Sequence, residues 1–352
     1  MSDPQPFEEW SDVEELRKQL RRVIRSHEDL KAKHFQLEHV IVGAARASFQ
    51  AMKPPKVPGP KPDRRKKAAE VAVALAADWQ LGRVTPDYDS QVCERRVKQF
   101  GEKILEIAEI QRADHPVKEC RLWLLGDHVD GETIFPAQMA AIDSSIVDQV
   151  ITNGARITRN LITRLLEGFE TVHVCGVPGN HGRIGSRKGS VVYSPNSNFD
   201  RMLYLVVKEW FTAAAETRVT FDIPVVERAG VGYYTVDQIG NYGCMLLHGD
   251  QFRGGSAFGG LPFYSITKKS FGWRDMQLSG EIPPFNDLAC GHWHRSARLP
   301  VGTMTVRVAG TTLSSDPFAH EVLATTSPPA QHLMFVHPGR GMVTSEYTIK
   351  LD

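Results

Sequence analysis

The chain has 352 residues, 42 basic and 41 acidic side chains, a formal net charge of +1, 41% hydrophobic residues and 24% charged ones. That composition excludes a mostly disordered or collagen-like chain, and the length suffices for a sizeable core in one large domain with an appendage, or in two ordinary ones. Near-neutral charge excludes a protein that holds nucleic acid by bulk electrostatics alone, so any such contact must come from a local patch.

Residues 1–52 form the first predicted unit. Met1-Ser2-Asp3-Pro4, followed by Glu8 and Glu9, lacks the basic and apolar regions of a secretory signal. From Val13 a 3–4 spacing runs through Leu16, Leu20, Val23, His27, Leu30, His34, Leu37 and Ile41, with Ser11 and Glu14 as a capping box. Two readings are open: a coiled coil that makes a homodimer, or an amphipathic helix packed on its own catalytic domain. Residues 53–70 read as a basic, proline-rich linker. Positions 53–67 hold five prolines and seven basic residues against one acid. The linker is either simply solvated or in contact with nucleic-acid phosphate.

Residues 71–352 read as a catalytic domain. Strands are predicted at 71–77, 121–126 and 171–179, with helices at 89–110, 137–168 and 199–215. Further strands are predicted at 218–226, 231–237, 242–248, 303–309, 332–337 and 343–350. Alternation in the first half and a strand-rich last third predict an α/β layered sandwich with a mixed sheet. Cys93, Cys120, Cys175, Cys244 and Cys290 are odd in number and form no CxxC pair. They read as buried reduced thiols in a reducing compartment. No apolar stretch approaches the ~18 residues that span a bilayer, so a cytoplasmic protein without membrane contact is expected.

Polar clusters recur where apolar runs end. Asp78-Trp79-Gln80 follows the first strand, Gly126-Asp127-His128-Val129-Asp130-Gly131 the second and Gly179-Asn180-His181-Gly182-Arg183 the third. His248-Gly249-Asp250 follows YGCMLL, and Gly291-His292-Trp293-His294 follows DLAC. Ligands collect at the carboxyl ends of strands in open α/β sheets, so the five clusters are expected to converge. Their donors are oxygens and imidazoles without thiolate, a set that suits Mn²⁺, Fe²⁺ or Zn²⁺ at a working site better than a structural zinc cage.

The series D-x-Q, GDxxDG, GNH, HGD and GHxH, spread over residues 71–310, resembles the calcineurin-like metallophosphoesterase superfamily, whose pattern is D-x-H, GDxxD, GNH(D/E), H and GHxH. The resemblance implies a four-layer αββα sandwich of two mixed sheets, here with an N-terminal helical extension. It implies two divalent metal ions, Mn²⁺ first and Mg²⁺, Fe²⁺ or Zn²⁺ as alternatives. Asp78, Gln80 and His294 would hold one ion, Asn180, His248 and His292 the other, and Asp127 would bridge. His181 would approach the leaving-group oxygen, and Asp130 would orient a ligand imidazole. Hydrolysis would proceed through a metal-bound hydroxide.

Two departures stand out. Gln80 replaces the usual histidine and either ligates through its amide oxygen or hydrogen-bonds a metal-bound water. Gly182 stands where Asp or Glu often follows GNH; Arg183 beside it either contacts substrate phosphate or forms an internal ion pair.

Residues 183–198 and 251–275 read as inserts. The second interleaves aromatic and basic residues after a glycine-rich start. It suits either stacking on bases while charges meet phosphates, or a hydrophobic lid. The leading expectation is a nuclease hydrolysing DNA phosphodiester bonds, similar to the repair-nuclease and bacteriophage-encoded branches of the superfamily. That resemblance implies an ATPase partner and, for a phage protein, the host cytoplasm. The alternatives are a phosphodiesterase or phosphatase acting on a small nucleotide or phosphoprotein, and a non-catalytic scaffold.

Overall fold

The computed structural model describes residues 18, 21–22, 36–52, 54–134, 138–184, 197–224, 232–254, 260–314 and 328–352. Most of the 13–41 seam, residues 185–196 of the first insert and residues 255–259 of the second lie outside them. Residues 36–52 are helical (α1). The strand β1 (Glu70–Ala76) leads into helix α2 (Ser90–Arg112), which begins where the Asp89 side chain accepts from Val92 N at 2.7 Å. There follow β2 (Val117–Leu124), a 3₁₀ turn (Gln138–Ala141), a π-helical segment (Asp148–Gly154), α3 (Ala155–Gly168), β3 (Thr171–Gly176), α4 (Phe199–Ala213), β4 (Val219–Asp222), β5 (Tyr234–Ile239) and β6 (Tyr242–Leu247). The chain continues through α5 (Phe263–Leu278), β7 (Asp287–Cys290), β8 (Ala297–Val301), β9 (Met304–Val308), β10 (Ala330–His337) and β11 (Met342–Lys350).

The strands form two mixed sheets. The first has the order β11-β10-β1-β2-β3-β4, the second β5-β6-β7-β9-β8. Strands β1 to β4 run parallel, as do β6, β7 and β9. The period-2 alternation of side chains explains the layering. Along β1, Val71, Val73 and Leu75 face an inter-sheet core shared with Trp123, Cys244, Leu246 and Ala289. Ala72, Ala74 and Ala76 point the other way, and their small side chains let α2, α3 and α4 approach closely. On the outer face of the second sheet, Met245, Leu247, Leu288 and Val306 pack against Ile266 and Trp273 of α5. The result is four layers, αββα, as the resemblance implied.

Several local expectations are revised. The single helix predicted at 137–168 is broken into 3₁₀, π and α segments; the π segment carries Gln149, whose buried amide accepts from Gly131 N at 2.9 Å. Residues 263–275 of the second insert belong to helix α5 (Phe263–Leu278), whose buried positions Ile266, Ser270 and Trp273 have helical spacing. Strand β8 had no strong apolar signal because it lies at a sheet edge, half exposed. All five cysteines are buried and unpaired with one another. No helix among the described residues is long and apolar enough to cross a membrane.

Helix α1 lies against α4. Arg46 makes a two-pronged contact with Glu209 at 2.8 Å, Phe49 meets Trp210 edge-on at 5.1 Å, and Ile41 and Ala45 pack on the core below. For residues 36–52, the structure thus shows a helix packed on its own domain. The linker that follows is extended and tied down: Asp63 N donates to Glu170, Arg65 Nη1 to Arg112 O, and Arg218 Nη2 to Val57 O. These partners sit at the N-terminal ends of β2, β3 and β4, the rim opposite the motif loops.

At the other side of the sandwich, a buried arginine couples the sheets. Arg307 of β9 donates to Asp287 at 2.6 Å and to Glu346 of β11 at 2.5 Å. Burial raises the Glu346 carboxyl, but His332 and Arg307 beside it outweigh that and hold it at about 2 against an ordinary value of 4.5. A depressed carboxylate contributes stability above its unfolded pKa and loses it as pH falls through the folded one. Urea unfolding should therefore show a loss of stability between pH about 4.5 and about 2 that is reduced in Glu346→Gln. Arg307→Leu, which removes the buried guanidinium between Asp287 and Glu346, should cost about 3 kcal/mol at pH 7.

Candidate metal centre

Each motif begins where a parallel strand ends: Asp78 after β1, Asp127 after β2, Asn180 after β3, His248 after β6 and His292 after β7. The turns there are unusual. Asp78, Gln80, Asp127, His292 and His294 all have positive φ, between 44° and 72°, and only Ala215 among other described non-glycine residues does. Non-glycine side chains in the left-handed region carry a local cost that the surrounding structure must offset, and such residues gather at functional sites. Glycine serves where even this would fail. A Cβ on Gly179 would lie 2.1 Å from Asp127 Oδ1, and one on Gly126 (φ 87°) would lie 2.7 Å from His248 Nδ1.

The turns aim four lone-pair atoms at one point. His248 Nδ1 lies 2.8 Å from Leu125 O, an acceptor only, so Nδ1 carries the proton and Nε2 faces the site. Around that Nε2 stand Asp127 Oδ2 at 3.0 Å, Asn180 Oδ1 at 3.0 Å and His292 Nδ1 at 3.2 Å. Asp127, His248 and His292 are close enough together to hold one metal ion. Buried acceptors do not crowd together unless a positive charge sits among them. Burial opposes charging His248, yet Asp127 beside it pushes the imidazole up to about 10. His292 goes the other way, down to about 3, through burial and the neighbouring His248 charge. Burial also disfavours charge on Asp127, but His248 and His181 hold it below the usual carboxylate range.

A second corner adjoins the first. Asp78 is fully buried; its Oδ2 accepts from His292 N at 2.8 Å, while its Oδ1 has no hydrogen-bond partner and lies 3.5 Å from His294 Nε2. Burial, with Asp127 adding repulsion, raises Asp78 well above the carboxylate range. Such an orphaned buried oxygen fits a cation. The Gln80 amide joins this corner, 2.9 Å from His294 Nε2. Gln80→His should therefore raise the affinity of this corner for Zn²⁺, read as metal content per chain after dialysis; unchanged content would remove Gln80 from the site.

His181 borders both groups. Its backbone N donates to Asp127 Oδ1 at 2.8 Å, and its Nδ1 lies 3.0 Å from Asp130 O and 3.3 Å from Asp130 Oδ1. Asp130 therefore sits against His181 rather than against one of the imidazoles proposed as ligands. Burial opposes a charge on His181, but Asp127 and Asp130 push it up to about 9. Arg183 forms the internal ion pair of its two readings: Nη2 donates to Asp250 Oδ2, joining the loops that carry Asn180 and His248.

Supporting residues were not foreseen. Thr311 Oγ1 donates to Asp78 O at 2.6 Å, and Thr312 and Tyr88 hydroxyls reach Trp79 O, holding the first turn in its left-handed shape. Asp200, at the start of α4, accepts from four backbone N–H groups of two motif loops. In the sequence, Asp200 signals only an acidic first helical turn after the N-cap Asn198.

No protein-family model and no curated relative matches the chain. Solved structures give distant likenesses. A hypothetical protein of Pyrococcus horikoshii is 12% identical, with 80% of this chain and 89% of that one covered and a TM-score of 0.38. Entamoeba histolytica Vps29, complexed with Zn²⁺, is 12% identical over 80% and 99% of the two chains at 0.30. An archaeal phosphodiesterase is 10% identical over 79% and 99% at 0.32. Strand order and motif placement, not these likenesses, carry the fold assignment. Two mixed sheets in αββα layers, with the five motif loops gathered at one rim, are the layered fold that the motif resemblance implied.

Proposed function

We propose that the chain is a metal-dependent phosphoric ester hydrolase with a two-ion centre. The observation that carries this reading is the gathering of Asp127 Oδ2, Asn180 Oδ1, His248 Nε2 and His292 Nδ1 around one point, beside the orphaned Asp78 Oδ1. Asn180, His248 and His292 would hold one ion, Asp78, His294 and Gln80 the other, with Asp127 between them. The mixed oxygen and imidazole donors suit Mn²⁺. Two divalent cations so held would neutralise a phosphoryl group and acidify a water. The chain's own residues do the rest. His181, held by Asp130 through Nδ1, gives a proton from Nε2 to the leaving oxygen. The fixed backbone of the motif loops keeps the ligands from rearranging during turnover.

The finer reading is a DNA nuclease. Its support is α5, which follows the His248 loop and exposes Tyr264 (79%) and Phe271 (52%) with Lys268 on the same face. Aromatic faces beside a cation suit unstacked bases and phosphates. The basic linker adds nothing here, because it runs along the opposite rim. The test incubates the protein and Mn²⁺ with labelled single- and double-stranded DNA, a cyclic dinucleotide and an aryl phosphodiester. Turnover of only the small substrates would remove the nuclease reading; turnover of none, with metal bound, would remove the hydrolase.

A further inference from the structure

We infer that Asp200 is a positioning residue of the metal centre: one buried carboxylate that locks the Asp127 loop to the Asn180 loop. The inference rests on the two-ion reading above. Asp200 Oδ2 accepts from Asp127 N and Gly179 N, both at 2.9 Å, and Oδ1 accepts from His128 N at 3.0 Å and Val129 N at 3.1 Å. Four donors on a carboxylate with no solvent exposure fill its acceptor capacity. Two of the four belong to Asp127 itself and to the residue just before Asn180. The donors come from loops about 50 residues apart, and no strand ladder joins them beyond Leu124 and Gly176. The carboxylate continues the β2–β3 pairing past the sheet edge, where the chains splay and the ligands begin.

Neighbouring features make Asp200 a fixed anchor. Asn198 Oδ1 accepts from Asp200 N at 2.8 Å, and Asn198 Nδ2 donates to Gly179 O at 2.8 Å. Phe199 N donates to Gly182 O at 2.7 Å. The start of α4 is thereby stitched to the loop it supports. This also explains Gly182: a Cβ there would lie 2.5 Å from Asn198 Oδ1 and 2.9 Å from Asp200 N. The space a larger residue would fill after Asn180-His181 is taken by the anchor.

A side-chain amide cannot replace the carboxylate. Asn at 200 offers one accepting oxygen, and its NH₂ would face two N–H donors. Asp200→Asn should weaken Mn²⁺ and Zn²⁺ binding about 10- to 100-fold, the scale seen for residues that orient ligands, while far-UV circular dichroism of the metal-free protein stays unchanged. Calorimetric titration with each metal alone reads this without any turnover. Affinity within twofold of the original chain in a folded variant overturns the inference. If the variant does not fold, hydrogen exchange of the unaltered metal-free protein decides. Slow exchange at Asp127, His128, Val129 and Gly179 amides supports the anchor, and exchange as fast as in surface turns refutes it. Wild-type protein that binds no metal, yet protects these amides, would sink the two-ion reading and leave the anchor standing.

Discussion

Asp127→Ala should empty the centre of metal and lower kcat by roughly 10³-fold or more. The reason is geometric. Oδ2 is one of the three atoms around His248 Nε2, Oδ1 receives His181 N, and the charge acts on Asp78, His181, His248 and His292 together. Inductively coupled plasma analysis of the dialysed variant should find both ions lost. Retention of two ions per chain would show that Asp127 does not lie between them. A thermal melt of both metal-free proteins separates this from unfolding. Removing the carboxylate orphans His181 N, so a modest loss of stability is expected alongside.

His181→Ala should do the opposite. Metal content should stay at the original level, because His181 is not among the four converging atoms. Turnover should fall about 10²- to 10⁴-fold, the range for a lost proton donor. The loss should be larger for a substrate with a poor leaving group, such as an alkyl or nucleoside ester, than for an activated aryl ester, whose oxygen leaves without a proton. Full activity on both substrates would exclude His181 from the reaction. Asp130→Asn should give a smaller loss in the same direction, since the Asp130 backbone carbonyl still faces His181 Nδ1.

The two variants and Asp200→Asn divide the centre by role. One removes the ions, one spares them, and one loosens them through the backbone. Different readings of metal affinity and kcat for the three would show whether these roles are separate.

Much of this centre was legible in the residues. Short apolar runs that stop abruptly at Asp, Asn or His mark buried parallel strands, because a parallel strand covered on both faces is apolar throughout and turns polar only where it leaves the sheet. That rule located Asp78, Asp127, Asn180, His248 and His292 at strand ends. The glycines beside them signalled tight turns, and the structure shows why no side chain fits at Gly126 or Gly179. The α/β layering followed from the same alternation.

What folding alone decided are partners distant along the chain. The ion-pair partner of Arg183, Asp250, stands 67 residues away along the chain. Asp200 carries no functional signal in the sequence because its partners are backbone N–H groups, which no pattern marks. Helix α5 was obscured because its buried stripe includes Ser270 and its exposed face carries Phe263, Tyr264 and Phe271, which blurs the amphipathic period. Side-chain type and spacing declare which donors a chain owns. Only the packed sheets determine which lone pairs meet, because that depends on where the chain has returned to, not on what stands next in line.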